Sequence, residues 1–428
     1  MDKLDISHKY QKWSGDPMKN IKISNSEHDD FVKNHINGDL CQLTAWAKVK
    51  SKYWYSRRVA VADNNGILCG VALMLFRKIP FTSRTVCYIP RGFVCDYNEK
   101  NIVSFILEEA KKIAIKEKAI LLSIDPVIER NQIDDLKEYL LSLGFKHKGY
   151  TTGFVDNQPR FSMITSLPET KDELFRSFSQ RTRNSIKKGT RYGLEFEVIT
   201  SNLENTIHHF NKLMKITGKR DNFLIRDNEY FVKLLNSLGK DNAELIYVKM
   251  NLEKTKQVLE DELNMIVAEK AKLFNESSDD VAFNRETKIR KLLVEIGKLS
   301  NLKEIYLSGA ILTFCGNKSY YLYGASSNDF RELLPNYFMQ WNMMQRAINR
   351  KCTSYDFGGI SGNINENDPE YGLYDFKRRF NSRTVERIGQ FDYILNPFYY
   401  SIYTITLKSV RLFRHFKKNK NGLNKNVV

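Results

Sequence analysis

The sequence predicts a mixed α/β chain made of two similar halves, with a helical hairpin inserted in the second. Three observations carry this. The order strand–strand–strand–helix–strand can be read twice along the 428 residues. A strand hairpin that closes on a short turn in the first half is interrupted in the second by residues 251–303. Between the halves lies 176–193, RSFSQRTRNSIKKGTRYG, with the cations Arg176, Arg181, Arg183, Lys187, Lys188 and Arg191 and no acid.

In the first half, residues 1–30 are polar and carry little signal. A helix is expected from near Glu27 towards CQLTAWAKVK at 41–50. Residues 58–62 read as a strand, Asn64-Asn65-Gly66 as a tight turn, 67–76 as a second strand and 85–89 as a third. Residues 99–118 place Ile102, Phe105, Ile106, Ala110, Ile113 and Ile115 at mostly helical spacing. A buried strand at 119–124 ends in Asp125-Pro126.

The second half repeats the order. Strands are expected at 244–250, 305–314 and 319–324. A helix opens at Pro335, a favourable first-turn residue, with Tyr337, Trp341, Met344 and Ile348 inward. The last strand, 353–357, ends in Gly358-Gly359. LCGVAL at 68–73 matches LSGAIL at 307–312, as duplication would leave it. Within 251–303, Leu252, Leu259, Leu263, Ile266 and Leu273 follow a 3–4 spacing, as do Ile289, Leu292, Ile296 and Leu299. The polar stretch 275–280 between them makes an antiparallel helical hairpin, with Lys256 and Lys270 weakening its seam. A coiled-coil dimer is the structural alternative.

The basic run has few apolar positions (Phe175, Phe178, Ile186), so a helix there shows a wide cationic face suited to phosphate; a solvated surface helix is the plain alternative. The C-terminal stretch 404–418 mixes Leu407, Val410 and Phe413 with Lys408, Arg411 and Arg414, a pattern that either lies on an anionic membrane surface or packs on the domain. A net charge of +17 favours a polyanionic partner. Six cysteines without C-x-x-C spacing read as reduced thiols in a cytosolic protein. No signal peptide or membrane-length apolar run is legible, so a cytoplasmic chain is expected, at most peripheral on the inner face of the cell membrane.

Several chemistries are set aside. There is no G-x-x-x-x-G-K-[ST] loop, no G-x-G-x-x-G after a strand and no G-x-S-x-G elbow. The histidines form no i, i+4 pair, and adjacent His208 and His209 are expected to face different ways, so no metal site is predicted. A coenzyme A-dependent N-acyltransferase fits a mixed duplicated fold, but QRTRNSIKKG lacks the glycines of a pyrophosphate cradle. A non-enzymatic coiled-coil nucleic-acid-binding protein fits the charge.

One set of short motifs stands out when the chain is read in order. They are Gln42-x-x-x-Trp46-Ala-Lys-Val-Lys50, Asp125-Pro126, Arg183-Asn-Ser-Ile-Lys-Lys188 and Arg226-x-x-x-Tyr230. Tyr321-x-Tyr323-Gly-Ala-Ser326, Leu334-Pro-Asn-Tyr337-x-x-Gln340-Trp341, Tyr355-Asp-Phe-Gly-Gly359 and Phe376-Lys377 continue the series. Taken together and in order, from about Phe31 to Pro397, they resemble the FemABX family, the Fem and MurM/MurN-like peptidoglycan interpeptide-bridge aminoacyltransferases.

The resemblance implies two tandem acetyltransferase-like (GNAT-type) domains, 1–165 joined by 385–428 and 166–384, with a coiled-coil arm at 251–303. It implies transfer of an amino acid from aminoacyl-tRNA to the side-chain amine of the third stem-peptide residue. The acceptor is a peptidoglycan precursor, lipid II or UDP-MurNAc-pentapeptide, and no cofactor is implied beyond the charged tRNA. Lys50 and Arg226 would hold the precursor's phosphates, with Tyr230 and Tyr323 lining the channel. Asp125 would face the reacting amine, and Phe376 and Lys377 would sit at the acyl-transfer centre. The basic stretch, through Arg181, Arg183, Lys187 and Lys188, and the arm would contact tRNA. The chain departs from the family at Ile120, where some members carry a tyrosine.

Overall fold

The computed structural model describes residues 17–153, 157–272, 279–407 and 409. It divides into two compact units, Met1–Arg160 with Glu386–Val428, and Phe161–Val385.

The sheet of the first unit runs Lys19–Asn20, Tyr55–Ala62, Leu68–Lys78, Thr85–Ile89, Ala119–Ile124, Phe391–Ile394, Phe145–His147, with Val94–Cys95 paired to Leu68–Lys78. Ala119–Ile124 is buried along its whole length and Leu68–Lys78 over most of it, because helices cover both faces. Lys100–Lys116 lays Ile102, Val103, Ile106, Leu107, Ala110 and Ala114 on the sheet. The expected helix from Glu27 to Lys50 is instead Asn25–Asn34, a short turn at Leu40–Gln42 and Thr44–Lys50. His35 leaves the helix in extended conformation. Asp39 then accepts the Cys41 N–H, which starts a separate turn.

In the second unit the order is Arg383–Glu386, Phe161–Ser166, Ser354–Ile360, Lys318–Ser326, Glu304–Cys315, Ala243–Asn251, Leu194–Ile199. Both units therefore present three antiparallel strands followed by a parallel fourth: Thr85–Ile89 beside Ala119–Ile124, and Lys318–Ser326 beside Ser354–Ile360. Each parallel strand then takes an antiparallel neighbour from a distant part of the chain. Gly70 and Gly309 occupy the same place in the two hairpins, opposite Val61 and Tyr247. This is a pair of tandem acetyltransferase-like folds. The boundary expected after residue 165 falls after Arg160, because Phe161–Ser166 pairs with Ser354–Ile360. The second unit likewise runs to Val385, one residue past 384.

On helix Pro335–Asn349 the buried face is Phe338, Met339, Met343, Met344, Ala347 and Ile348. Tyr337 and Trp341, expected inward, pack at its edge. Helices Leu203–Arg220 and Asn228–Asn242, absent from the sequence reading, precede the hairpin. Ring centroids of His208 and His209 lie 3.9 Å apart, and His209 stacks on Tyr306 at 4.1 Å. That corrects the expectation that the two histidines diverge.

Residues Leu252–Lys272 and Asp279–Gly297 form two helices that pack on each other. They leave and re-enter the sheet where Asn251 pairs with Glu304. The seam uses Leu252, Leu259, Ile266, Ile289, Leu292 and Ile296. Lys256 is exposed and pairs with Glu260 rather than lying on the seam; the buried seam charge is Glu262. Of the polar turn expected at 275–280, Asp279 and Asp280 already belong to the second helix; 275–278 and most of the basic tail at 404–418 fall outside the described residues.

Candidate functional site

The second unit carries the feature with most chemical consequence. Its parallel strands pair at Lys318↔Ser354, Ser319↔Tyr355 and Tyr320↔Asp356 and then separate. Residues 321–326 and 357–360 continue as strands without that partner. At the parting, Gly358 adopts φ +77°, a conformation glycine takes without penalty. The Asp356 carboxylate accepts the Gly358 N–H at 2.7 Å.

Into this gap reaches Lys377, in the last turn of helix Tyr371–Arg378. Its ammonium donates to the carbonyls of Gly359 at 2.7 Å and Gly358 at 3.2 Å. The residue is only 4% exposed. Burial brings its pKa down to about 8, with Asp356 opposing the shift. A buried lysine held by two carbonyls, with no carboxylate at hydrogen-bond distance among the described residues, is uncommon for structure alone and suited to chemistry. Phe376 anchors the helix, its ring 5.2 Å from Tyr337 and 5.4 Å from Phe380.

On the same strand stands Tyr323, whose hydroxyl is 3.0 Å from that of Tyr230. The exposed Arg226 guanidinium lies 5.2 Å above the Tyr230 ring. Asp227 caps helix Asn228–Asn242 by accepting the Tyr230 N–H, which fixes where Tyr230 projects. Arg226, Tyr230 and Tyr323 thus form one row, ending in an exposed cation.

The basic run becomes helix Gln180–Arg191, opened by Ser179 accepting the Thr182 N–H. It seats on Pro335–Asn349 through Thr182, Ile186 and Gly189. A Cβ on Gly189 would lie 2.7 Å from Phe338 Cβ, so only glycine allows this approach. Four sequence-predicted cations therefore part company. Arg181 is exposed. Arg183 turns back to the carbonyls of Arg176 and Phe178 and to Gln180, which corrects its reading as an outward phosphate ligand: it caps the preceding helix. Lys187 and Lys188 line a crevice of about 740 Å³ between this helix and the arm. The crevice also holds Arg191, counted in the basic run but not assigned to tRNA, and Arg285 and Lys288, which the sequence reading missed. Glu262 organises it, accepting from Tyr192 at 2.9 Å and pairing with Arg191 and Arg285 at 2.8 Å. An acid at a heptad core position was the available signal.

In the first unit, Asp125 ends strand Ala119–Ile124 and is buried. Its carboxylate accepts the Arg91 N–H at 2.7 Å and the Tyr88 hydroxyl at 3.0 Å. Burial pushes its pKa up to about 6, against the pull of Arg91. Asp39 approaches Arg91 at 4.0 Å, completing a cluster the sequence reading did not foresee. Lys50 closes helix Thr44–Lys50 with its ammonium 4.6 Å above the Trp46 ring. Among the described residues no group of three or more His, Cys, Asp or Glu is placed to hold a metal ion.

Duplicated acyltransferase-like units, one with parted strands and a buried lysine, define a class of acyl-transfer enzyme. The FemAB family model matches residues 23–408, and the chain belongs to the FemAB family. It is 43% identical over 400 residues to a protein of Staphylococcus epidermidis named lipid II:glycine glycyltransferase, covering 90% of this chain and 95% of that one. It is 42% identical over 424 residues to the Staphylococcus aureus protein of the same name, covering 94% and 100%. The crystal structure of FemX superposes with TM-score 0.75 at 41% identity, over 90% of this chain and 99% of that one.

Proposed function

We propose that this chain transfers an amino acid, glycine in the first instance, from aminoacyl-tRNA to a lipid-linked peptidoglycan precursor. The acceptor is the side-chain amine of the third stem-peptide residue. The observation that carries the proposal is Lys377, buried at the parting of two strands in a unit that also presents the Arg226–Tyr230–Tyr323 row. The choice of glycine and of a lipid-linked acceptor rests on the names of the staphylococcal relatives.

The chemistry needs little beyond positioning. The donor is an activated ester, and holding amine and ester together supplies much of the acceleration. The amine nitrogen bonds to the carbonyl carbon, the ester C–O bond breaks, and the tRNA ribose hydroxyl leaves with a proton. Lys377 stabilises the oxyanion formed on the way, and Phe376 holds the helix that presents it. For the precursor's phosphates, the second unit offers Arg226 with Tyr230 and Tyr323 beside it, and the first unit offers Lys50. Lys187, Lys188, Arg191, Arg285 and Lys288 offer the tRNA backbone a cationic crevice, with Arg181 exposed nearby on the helix. With a pKa near 6, Asp125 is ionised at neutral pH and can take the amine's proton. A relay through the terminal ribose is the second reading, favoured because both Asp125 oxygens already accept hydrogen bonds.

Purified protein, lipid-linked precursor and individually charged tRNAs test the proposal. The expected product is heavier by one glycyl residue. No mass gain with any charged tRNA, or gain from uncharged donors such as acetyl-coenzyme A, removes it.

A further inference from the structure

The first unit carries an apolar groove of about 810 Å³ that the reaction leaves unused. Trp54, Ile79, Phe81, Tyr399, Ile402 and Tyr403 line it. One wall is the turn between strands Leu68–Lys78 and Thr85–Ile89; the other is helix 397–407. We propose that this face docks on an anionic lipid bilayer, seating the aromatic side chains at headgroup depth.

The turn is the first argument. Phe81 follows Pro80, holds φ +61° and is fully exposed. A bulky residue in the left-handed region is conformationally costly, and among the described residues no burial of the Phe81 side chain offsets it. The helix is the second. Its Tyr399, Tyr400 and Tyr403 pack against Val86, Ile120 and Leu121, while Phe398, Ile402 and Ile405 face outward, at 68%, 48% and 64% exposure.

Charge is the third argument. The Arg77 guanidinium lies 5.0 Å from the Trp54 ring and Arg84 lies 4.6 Å from Tyr399. Among the described residues neither is paired with a carboxylate, and Lys78 and Lys52 also border the groove. Aromatic rings with cations between apolar side chains are what the interface of an anionic membrane attracts. The fourth argument is continuity. The Lys50 carbonyl accepts the N–H groups of Tyr53 and Trp54, so the groove starts within one turn of the lysine given the precursor's phosphates. Only this last step rests on the lipid-linked reading.

The full chain is sedimented with vesicles of phosphatidylglycerol and phosphatidylcholine in equal parts, and with phosphatidylcholine alone, without precursor. Binding to the anionic vesicles that weakens as salt rises is expected. Phe81→Ser with Ile405→Ser should weaken it roughly tenfold or more, with the melting temperature confirming a folded chain. Ile405→Ser alone, on an exposed helix face, should weaken it in the same direction. Transfer to precursor in vesicles should fall in the double variant, while transfer to a precursor with a shortened, water-soluble prenyl chain is kept. Unchanged vesicle binding by the double variant overturns the proposal. So does loss of long-chain precursor use with vesicle binding intact, which would give the groove to the isoprenoid chain. Concentration-dependent self-association abolished by the same variant, with vesicle binding unaffected, would give the face to a second copy. A chain that docks but transfers no amino acid removes the proposed function and leaves this inference standing.

Discussion

The two units build the same parallel strand pair and finish it differently. In the first, pairing runs from Thr85↔Ala119 to Ile89↔Ile124, the last residues of both strands. The end is then sealed by Asp125, which takes the Arg91 N–H and the Tyr88 hydroxyl. In the second, pairing stops at Tyr320↔Asp356, and Lys377 occupies carbonyls past the split. A zipped pair satisfies its own backbone groups and leaves none of them for a ligand. A parted pair leaves backbone groups unpaired with each other at the strand ends, where mixed α/β folds place their chemistry. One copy is thus closed with a carboxylate and the other opened around a cation.

The largest effect is expected at the open end. Lys377→Met should lower turnover by roughly 10²-fold or more, the scale of one oxyanion-stabilising group. Precursor affinity, read by calorimetry, should change far less; equal losses in both would make Lys377 a binding residue.

The closed end should answer in stability. The folded pKa of Asp125 is raised from 3.8 to about 6, so the native state holds this proton more tightly than the unfolded chain. Its contribution therefore falls as pH rises from about 4 to 6. Asp125→Asn should flatten that fall, by roughly 2–3 kcal/mol at 1.4 kcal/mol per unit, in denaturant titrations at pH 4 and 7. An unchanged slope would mean that the carboxyl is not the group that titrates.

Arg226→Ala sharpens the contrast between binding and chemistry within the second unit. Precursor affinity should weaken about tenfold, for the loss of a charge-assisted phosphate contact, while turnover at saturating precursor stays near the parent's. The smallest effect concerns the basic helix. Gly189→Ala forces a Cβ against Phe338 and should cost about 1 kcal/mol, the lower end for overpacking, with tRNA affinity falling as the helix shifts. A neutral outcome in thermal melting would show that the helix is not held by this contact.

Much of the fold was legible because the central strands are short apolar runs with clear ends. Thr85–Ile89 and Ala119–Ile124 were readable residue for residue. The single helix read from Glu27 to Lys50 ignored Asn37-Gly38-Asp39, a turn signal lying inside an apolar pattern. Helices Leu203–Arg220 and Asn228–Asn242 were missed although Ile207, Phe210, Leu213 and Met214, then Phe231, Leu234 and Leu238, keep helical spacing. Lys377 was nameable through family resemblance alone. In the segment DFKRRF a lysine reads as a surface cation, and its burial depends on Gly358 and Gly359, distant in sequence. Glu262 shows the same limit: its position in the seam was readable, but Tyr192, Arg191 and Arg285 converge on it through tertiary structure.

The most direct measurement is the pH dependence of single-turnover transfer, with charged tRNA and precursor both bound, in the parent and in Lys377→Met. The acceptor amine reacts as the neutral base, so the rate rises with pH. If Lys377 acts as a cation with a pKa near 8, that rise breaks near pH 8 in the parent. The slower Lys377→Met variant shows no break there. A parent rate that climbs through pH 8 unbroken, or a variant within a few-fold of the parent, would contradict the assignment of acyl transfer to the parted strands.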